Sequence, residues 1–191
     1  REIMDFSFTE EQLLLKNSVQ EFLQKECPKS YIAELERRYL REEEAEEYPR
    51  EIFKKMAQQG WLGTSFPEEY GGSGGDIVDL AILCEELSKC WMSLAGAFVL
   101  CVTFGGATIN YHGNEEQKRA LLPKLCQGEI RFSGAFTEPG GGTDLLALTT
   151  SATKENDTWI INGQKTFITG ALEADYLITI VRTNKNPAKR A

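Results

Sequence analysis

The chain has 191 residues, with 21 Lys+Arg against 29 Asp+Glu and a formal charge of −8 at pH 7. That balance disfavours a generic binder of nucleic-acid phosphates, which carries a basic excess. With 41% apolar residues, three Trp, ten Phe and six Tyr, there is enough apolar surface for a sizeable core, and disorder as the main state is excluded.

The first two thirds of the chain read as helices. Thr9 with Gln12 three residues on makes a capping-box start, and Leu13, Leu15, Val19, Phe22 and Leu23 mark the buried side of a helix over Glu10 to Glu26, stopped by Pro28. A second helix is predicted from Tyr31 to about Glu46. Its acidic run Glu42, Glu43, Glu44, Glu46 and Glu47 spreads around the helix and reads as a solvated face, not a metal site. Pro49 suits a first helical position, and Ile52, Phe53, Met56 and Ala57 follow at one-turn spacing until Gly60. Trp61 to Pro67 then runs extended into a loop with glycines at 71, 72, 74 and 75. This loop lacks the Lys-Ser/Thr ending and the preceding β-branched strand of a phosphate loop. From Asp76 to Cys90 the apolar positions Leu80, Leu83, Cys84 and Leu87 recur at helical spacing. Met92 to Tyr111 is apolar on nearly every side and reads as a buried helix in which Gly96, Gly105 and Gly106 admit close neighbours. Asn114 with Gln117 caps a last helix that Pro123 is expected to interrupt and Gly128 ends. Six helices with mostly short connections form an antiparallel helical domain.

After Gly128 the period changes. Ile130–Thr137, Leu148–Lys154, Thr158–Ile161, Lys165–Thr169 and Tyr176–Arg182 are short, rich in β-branched and aromatic residues and separated by turn chemistry. Asn162-Gly163 is read as a hairpin turn between Trp159-Ile160-Ile161 and Thr166-Phe167-Ile168. The fold class is α+β and multidomain: a helical domain over 1–129, then over 130–191 an antiparallel β-barrel or sandwich domain that is incomplete, since about five strands in an open sheet leave exposed edges.

No apolar run reaches the roughly 18 to 20 residues of a membrane-spanning helix, and the opening Arg1-Glu2-Ile3-Met4-Asp5-Phe6 carries no recognisable export or import address. The five cysteines, Cys27, Cys84, Cys90, Cys101 and Cys126, are odd in number and lack a C-x-x-C pair, so free buried thiols in a reducing, cytoplasmic setting are expected. Neither a membrane nor a nucleic acid is expected as a partner. Asn156-Asp157-Thr158 fits the glycosylation triplet by pattern alone. His112 is the only histidine and sits beside Gly113 at a helix end, which speaks against a Ser-His-Asp triad or a His-based metal site; no metal site is expected. Two segments carry more. Phe136-Thr137-Glu138-Pro139-Gly140-Gly141-Gly142-Thr143-Asp144 places hydroxyls and three glycines after a strand. Gly163 to Gly170 alternates so that Phe167 and Thr169 share one face, and an aromatic plane beside a hydroxyl suits a flat heteroaromatic ring with a polar edge. Each segment alone also reads as an ordinary turn.

Together with Phe6-Ser7-Phe8-Thr9-Glu10-Glu11-Gln12, Phe66-Pro67-Glu68-Glu69-Tyr70-Gly71-Gly72, Gly113-Asn114-Glu115-Glu116-Gln117-Lys118, Thr137-Glu138-Pro139 and Asn162-Gly163-Gln164-Lys165, these segments give the chain a resemblance to the FAD-dependent acyl-CoA dehydrogenases that covers nearly its whole length. The resemblance implies a helical domain, a β-domain and a C-terminal four-helix domain, of which this sequence supplies the first and part of the second. It implies that Gly134, Ala135, Phe136, Thr137, Gly142 and Thr143 line the flavin. Thr137 would bond the pyrimidine side of the ring, and Thr143 would lie near the cofactor phosphate and the acyl-CoA. Phe167 stands where relatives carry Trp against the ring, beside Ile168, and the Thr169 hydroxyl would reach the flavin N5 region. Arg182 and Thr183 fall where relatives meet CoA.

The implied reaction converts an acyl-CoA to a trans-2-enoyl-CoA by removal of an α-proton and hydride transfer to FAD, with electrons passing to an electron-transfer flavoprotein. The implied base is a Glu of the C-terminal domain, so no catalytic residue is assigned within this chain, and Glu138, before Pro139, reads as turn-holding. A homotetramer, or another homo-oligomer, or a complementary C-terminal chain completes the picture. A catalytically inactive scaffold or interaction module, and an acyl-CoA or nitroalkane oxidase, stand as alternatives. In relatives the FAD also rests on the C-terminal domain and a neighbouring subunit. The purified 191-residue chain is therefore expected to show little flavin absorbance; a full-strength flavin spectrum would contradict this.

Overall fold

A computed structural model describes residues 7–41 and 50–184. Helix α1 (Glu10–Glu26) begins at the Thr9–Gln12 capping box, with both reciprocal hydrogen bonds formed. Helix α2 (Lys29–Leu40) follows Pro28 and is shorter than its sequence pattern suggested. The acidic run at 42–47 lies outside the described residues. Helix α3 (Arg50–Gln58) buries Ile52, Phe53 and Met56 and ends where Gly60 takes φ 81°. Trp61 to Pro67 is not extended as expected: Trp61–Gly63 forms a 3-10 turn, which lets Trp61, Leu62 and Phe66 all bury.

Helix α4 (Ile77–Cys90) starts at an Asp76–Asp79 capping box. Next comes one continuous helix, Met92–His112, made of α5 (Met92–Phe98), a π-helical stretch (Val99–Gly106) and α6 (Ala107–His112). By length and composition it is apolar enough to cross a membrane, which corrects the expectation that no run of that size is present. In this fold its Leu94, Phe98, Cys101 and Val102 lie in the core shared by α1, α3, α4 and α7 (Glu115–Cys126). The chain's single histidine, His112, is exposed at the end of α6. The five thiols are free, with Cys27, Cys101 and Cys126 buried and Cys84 and Cys90 half-buried.

Strand β1 (Phe132–Ala135) carries the chain out of the helical core. Hairpin β2 (Ser151–Glu155) and β3 (Thr158–Asn162) is antiparallel, and β4 (Tyr176–Thr179) pairs with β1 in parallel. Beyond β4, Arg182 bonds on both sides of Ser151 in parallel register, through its own N–H to the Thr150 carbonyl and its carbonyl to the Ala152 N–H. One segment thus touches both small sheets. The described strands form two two-stranded sheets, not a closed barrel, and they are not wholly antiparallel.

Two further expectations are corrected here. The hairpin turn is Asn156-Asp157, with Asn156 at φ 55°, because Asn tolerates the left-handed region that a two-residue turn needs. Asn162-Gly163 ends β3 instead, with Gly163 packed so closely on Thr150 that a Cβ would meet its Oγ1 at 2.3 Å. Lys165–Thr169 is not a strand, since Phe167 takes φ 56° and breaks the extended path.

Helical and β parts meet at Gly105. A Cβ there would stand 2.2 Å from the Phe132 ring, so the missing side chain is what lets the π-helical stretch lie on β1. Gly96 has nothing within 4 Å of its Cβ position and does not mediate a close contact, contrary to expectation. Gly105→Ala is expected to destabilise by about 1–3 kcal/mol through overpacking. Gly96→Ala should stabilise by about 0.5–1 kcal/mol through helix entropy. Urea denaturation of the two variants checks the pair.

Candidate functional site

The end of β1 is held by a buried carboxylate. Glu138 is 5% exposed and accepts from the Thr149 N–H (2.6 Å), the Thr149 hydroxyl (2.7 Å), the Thr150 N–H (2.8 Å) and Lys165 Nζ (3.0 Å). The Lys165 ammonium also donates to the Phe136 carbonyl at 2.9 Å. Thr150 first, then Thr149 with both its hydroxyl and its N–H, hold the Glu138 carboxyl well below the usual carboxylate range. A carboxylate so fully supplied with donors stays ionised and resists taking up a proton. That supports a turn-holding role over a role as base.

Glu138 and Gly141 exchange backbone hydrogen bonds of 2.9 and 3.0 Å around Pro139-Gly140, turning the chain back toward Gly142 and Thr143. Gly142 faces the Thr137 side chain, whose Cγ2 would lie 3.0 Å from an added Cβ. Thr143 is exposed, and Asp144 caps the turn after it through the Leu146 N–H at 3.0 Å. Gly134 and Ala135 lie on β1. Phe136 packs edge-to-face on Phe104 of the π-helical stretch, ring centroids 5.6 Å apart.

The 163–170 segment runs antiparallel along the free edge of β1 without forming a strand. Thr166 N–H donates to the Thr137 carbonyl at 3.0 Å, and the Ser133 hydroxyl donates to the Thr169 carbonyl at 2.5 Å. Between these points Ile168 is half-buried, whereas Phe167 is 89% exposed. Because Phe167 is in the left-handed region, at a backbone cost of roughly 1–2 kcal/mol, it does not alternate with Thr169 as a strand would. Thr137 lies two residues beyond the end of β1, whereas Thr169 is bonded near its start, at Ser133. Thr169 lines a shallow cleft with Ser93, Leu100 and Phe132 that Thr137 does not share. The structure therefore joins the two segments through one backbone hydrogen bond and one from the Ser133 hydroxyl, with Thr137 and Thr169 not sharing one concavity.

Arg182 does not point freely toward solvent: its guanidinium donates to the Leu148 carbonyl (3.2 Å) and the Leu146 carbonyl (2.5 Å), fixing the turn beside Thr143. Sequence reasoning passed over Lys165 as a functional residue. The available signal was a single Lys placed after Asn162-Gly163, opposite a Glu in the other hydroxyl-bearing segment.

Residues 9–129 match the family model described as acyl-CoA dehydrogenase, N-terminal domain, and residues 133–191 match the one described as acyl-CoA dehydrogenase, middle domain. The chain belongs to the acyl-CoA dehydrogenase family. It is 39% identical over 182 residues to a short-chain specific acyl-CoA dehydrogenase of Clostridium acetobutylicum, covering 95% of this chain and 46% of that protein. Among solved structures it is similar to butyryl-CoA dehydrogenase from Megasphaera elsdenii (TM-score 0.83, 32% identity, 95% of this chain and 46% of that one). It is also similar to an acyl-CoA dehydrogenase complexed with FAD from Bacillus anthracis (TM-score 0.81, 32% identity, 95% and 31%). The chain thus spans under half the length of these relatives.

Because the Glu138 pKa is lowered in the fold, its stabilising contribution is fully present above the ordinary value of 4.5 and is lost as pH falls below it. Glu138→Gln should lower the urea midpoint at pH 7, and the gap to the parent should shrink as pH drops below about 4.5. A pH-independent gap would contradict the assigned ion pair.

Proposed function

We propose that this chain is the helical and β-domain portion of an FAD-dependent acyl-CoA dehydrogenase that oxidises an acyl-CoA to a trans-2-enoyl-CoA. The observation that carries the reading is the wall along β1, in which Glu138 and Lys165 clamp the Thr137 segment to the segment bearing Phe167 and Thr169. Phe167 offers nearly a whole aromatic face, while Thr143 and Thr169 are exposed and Thr137 is half-buried. Read this way, a flat heteroaromatic ring with polar edges lies across the wall and not within one concavity of it. On this reading Gly134, Ala135, Phe136, Thr137, Gly142, Thr143, Phe167, Ile168 and Thr169 hold the cofactor, and Thr143 also meets the acyl-CoA. The relative solved with FAD supports FAD as the group concerned. When bound, flavin supplies the hydride acceptor.

The residues of this chain bind and orient. Glu138, saturated with donors, takes no proton from substrate, so the base comes from elsewhere, as does the rest of the flavin's binding surface. The incomplete β-barrel or sandwich would be closed by further strands against the exposed β3 edge, where Trp159 and Ile161 are about half exposed. Trp91 and Phe98 belong to the buried core, leaving Met92 and Phe104, both exposed, as candidates to face an acyl group from this side. An electron-transfer flavoprotein as acceptor and a homo-oligomer or complementary C-terminal chain complete the proposal.

The test mixes the chain with FAD and a panel of acyl-CoAs, with and without a C-terminal partner chain, while flavin bleaching is followed. Bleaching that needs the partner is the expected result. Thr137→Val and Thr169→Val should each weaken flavin affinity about tenfold, the worth of roughly one hydrogen bond, while helicity by circular dichroism stays unchanged. Absence of flavin binding with every partner would overturn the reading in favour of a redox-inactive scaffold.

A further inference from the structure

Away from the β1 wall, two thiols meet at the C-terminal ends of α1 and α4. These helices pack side by side in the same direction, with Gln20 bonded to Glu86 at 2.9 Å and, farther along, the Cys90 thiol donating to the Cys27 carbonyl at 3.7 Å. Both cysteines line one cleft of about 390 Å³ together with Leu23, Lys29 and Lys89. Cys27 is buried and Cys90 half-buried. Neither residue is used by the wall along β1.

We propose that Cys27 and Cys90 are a redox-sensitive pair, and that a small soluble disulfide entering this cleft oxidises them to a bond that staples α1 to α4. A thiol 3.7 Å from the other cysteine's carbonyl oxygen lies beside that cysteine's backbone, and both side chains line the same cleft. The backbone at both positions can settle. Cys27 is the C-cap of α1, at φ −126° and ψ 52° ahead of Pro28, and Cys90 is the last residue of α4 before the extended Trp91. Disulfide geometry asks for a Cα separation of about 4.4–6.8 Å, which small adjustments at two helix ends supply more readily than adjustments within a helix. The cleft gives the oxidant entry, with Lys29 at its wall beside the Lys89–Glu86 ion pair.

The exchange balances as follows. Cys90, the more accessible thiol, gives its proton to solvent and attacks one sulfur of the small disulfide; the other half leaves as a thiolate and takes up a proton. Cys27 then loses its proton and attacks the Cys90 sulfur of the mixed disulfide, releasing the second small thiol. Two protein thiols are oxidised and one small disulfide is reduced to two thiols. Burial pushes the Cys27 thiol up to about 12, with Cys90 adding to it, and burial also raises the Cys90 thiol. The pair is therefore protonated at neutral pH and reacts slowly, responding to sustained oxidation and not to brief exposure. The closed bond joins positions 63 residues apart, and a loop of that size restricts the unfolded chain.

The experiment incubates the folded 191-residue chain with oxidised glutathione, removes the oxidant, alkylates the remaining thiols in denaturant so that buried ones also react, and maps them by mass spectrometry. Two of the five thiols should escape alkylation, in a linked peptide pair containing Cys27 and Cys90. Dithiothreitol should reverse the link, and the thermal midpoint should be higher in the oxidised form. Cys84→Ser, which changes another half-buried thiol of α4, should link as the parent does. Cys27→Ala should leave Cys90 carrying a stable glutathione adduct, and Cys90→Ser should leave Cys27 unreacted, each with parent-like circular dichroism. Full alkylation of all thiols, a stable adduct on Cys90 in the parent, or a link involving Cys84 would each overturn the proposal. So would a link that forms only in urea, because the pairing would then belong to the unfolded chain.

Discussion

The buried carboxylate of Glu138 organises everything after the helical core. It collects donors from Thr149 and Thr150 just ahead of β2 and from Lys165 just after β3, while Lys165 reaches back to the Phe136 carbonyl. A buried charge without partners is strongly unfavourable, and a buried pair is tolerated when its remaining lone pairs and protons are satisfied. Here four hydrogen bonds meet one carboxylate, so the segments supplying them are fixed in one relative position. The Thr137 turn, the Thr143 turn and the Phe167–Thr169 segment inherit that position. The proposed flavin wall therefore depends on an ion pair that touches no ligand itself.

The helical part supports this arrangement from below. The Met92–His112 helix is almost wholly apolar because it is surrounded on several sides, and its π-helical stretch sets Gly105 against Phe132 and Phe104 against Phe136. β1 is thus anchored at its start by packing and at its exit by charge-assisted hydrogen bonds. The same helix satisfies the length and composition of a membrane span, which shows how little those two properties say about where an apolar helix resides.

Much of the helical domain was legible because its signals are local. Thr9 with Gln12 and Asn114 with Gln117 each start a helix through contacts within one turn, and Gly60 stops another through its own φ. The β part was less legible because its pairings span long sequence separations. Lys165–Thr169 has strand composition, yet its anchors to the Thr137 carbonyl and the Ser133 hydroxyl and the positive φ of Phe167 keep it out of a ladder. Asn162-Gly163 carries the usual hairpin dipeptide, but the turn forms at Asn156-Asp157, where the strands on either side align in register. The parallel pairing of β1 with β4 left no mark in either strand's sequence. The Gly/Thr segments themselves were visible as candidates; the Lys165 clamp that relates them was not, since a lone Lys in a polar stretch gives no sign of burial.

Amide hydrogen exchange tests the central claim most directly. If Glu138 and Lys165 hold the wall together, the N–H groups of Thr149, Thr150 and Thr166 should exchange slowly and as a group in the parent chain, and all three should speed up in Lys165→Met while the amides of α4 and α7 keep their protection. Fast exchange at these three positions in the parent, or protection that survives the loss of the ammonium group, would contradict the account.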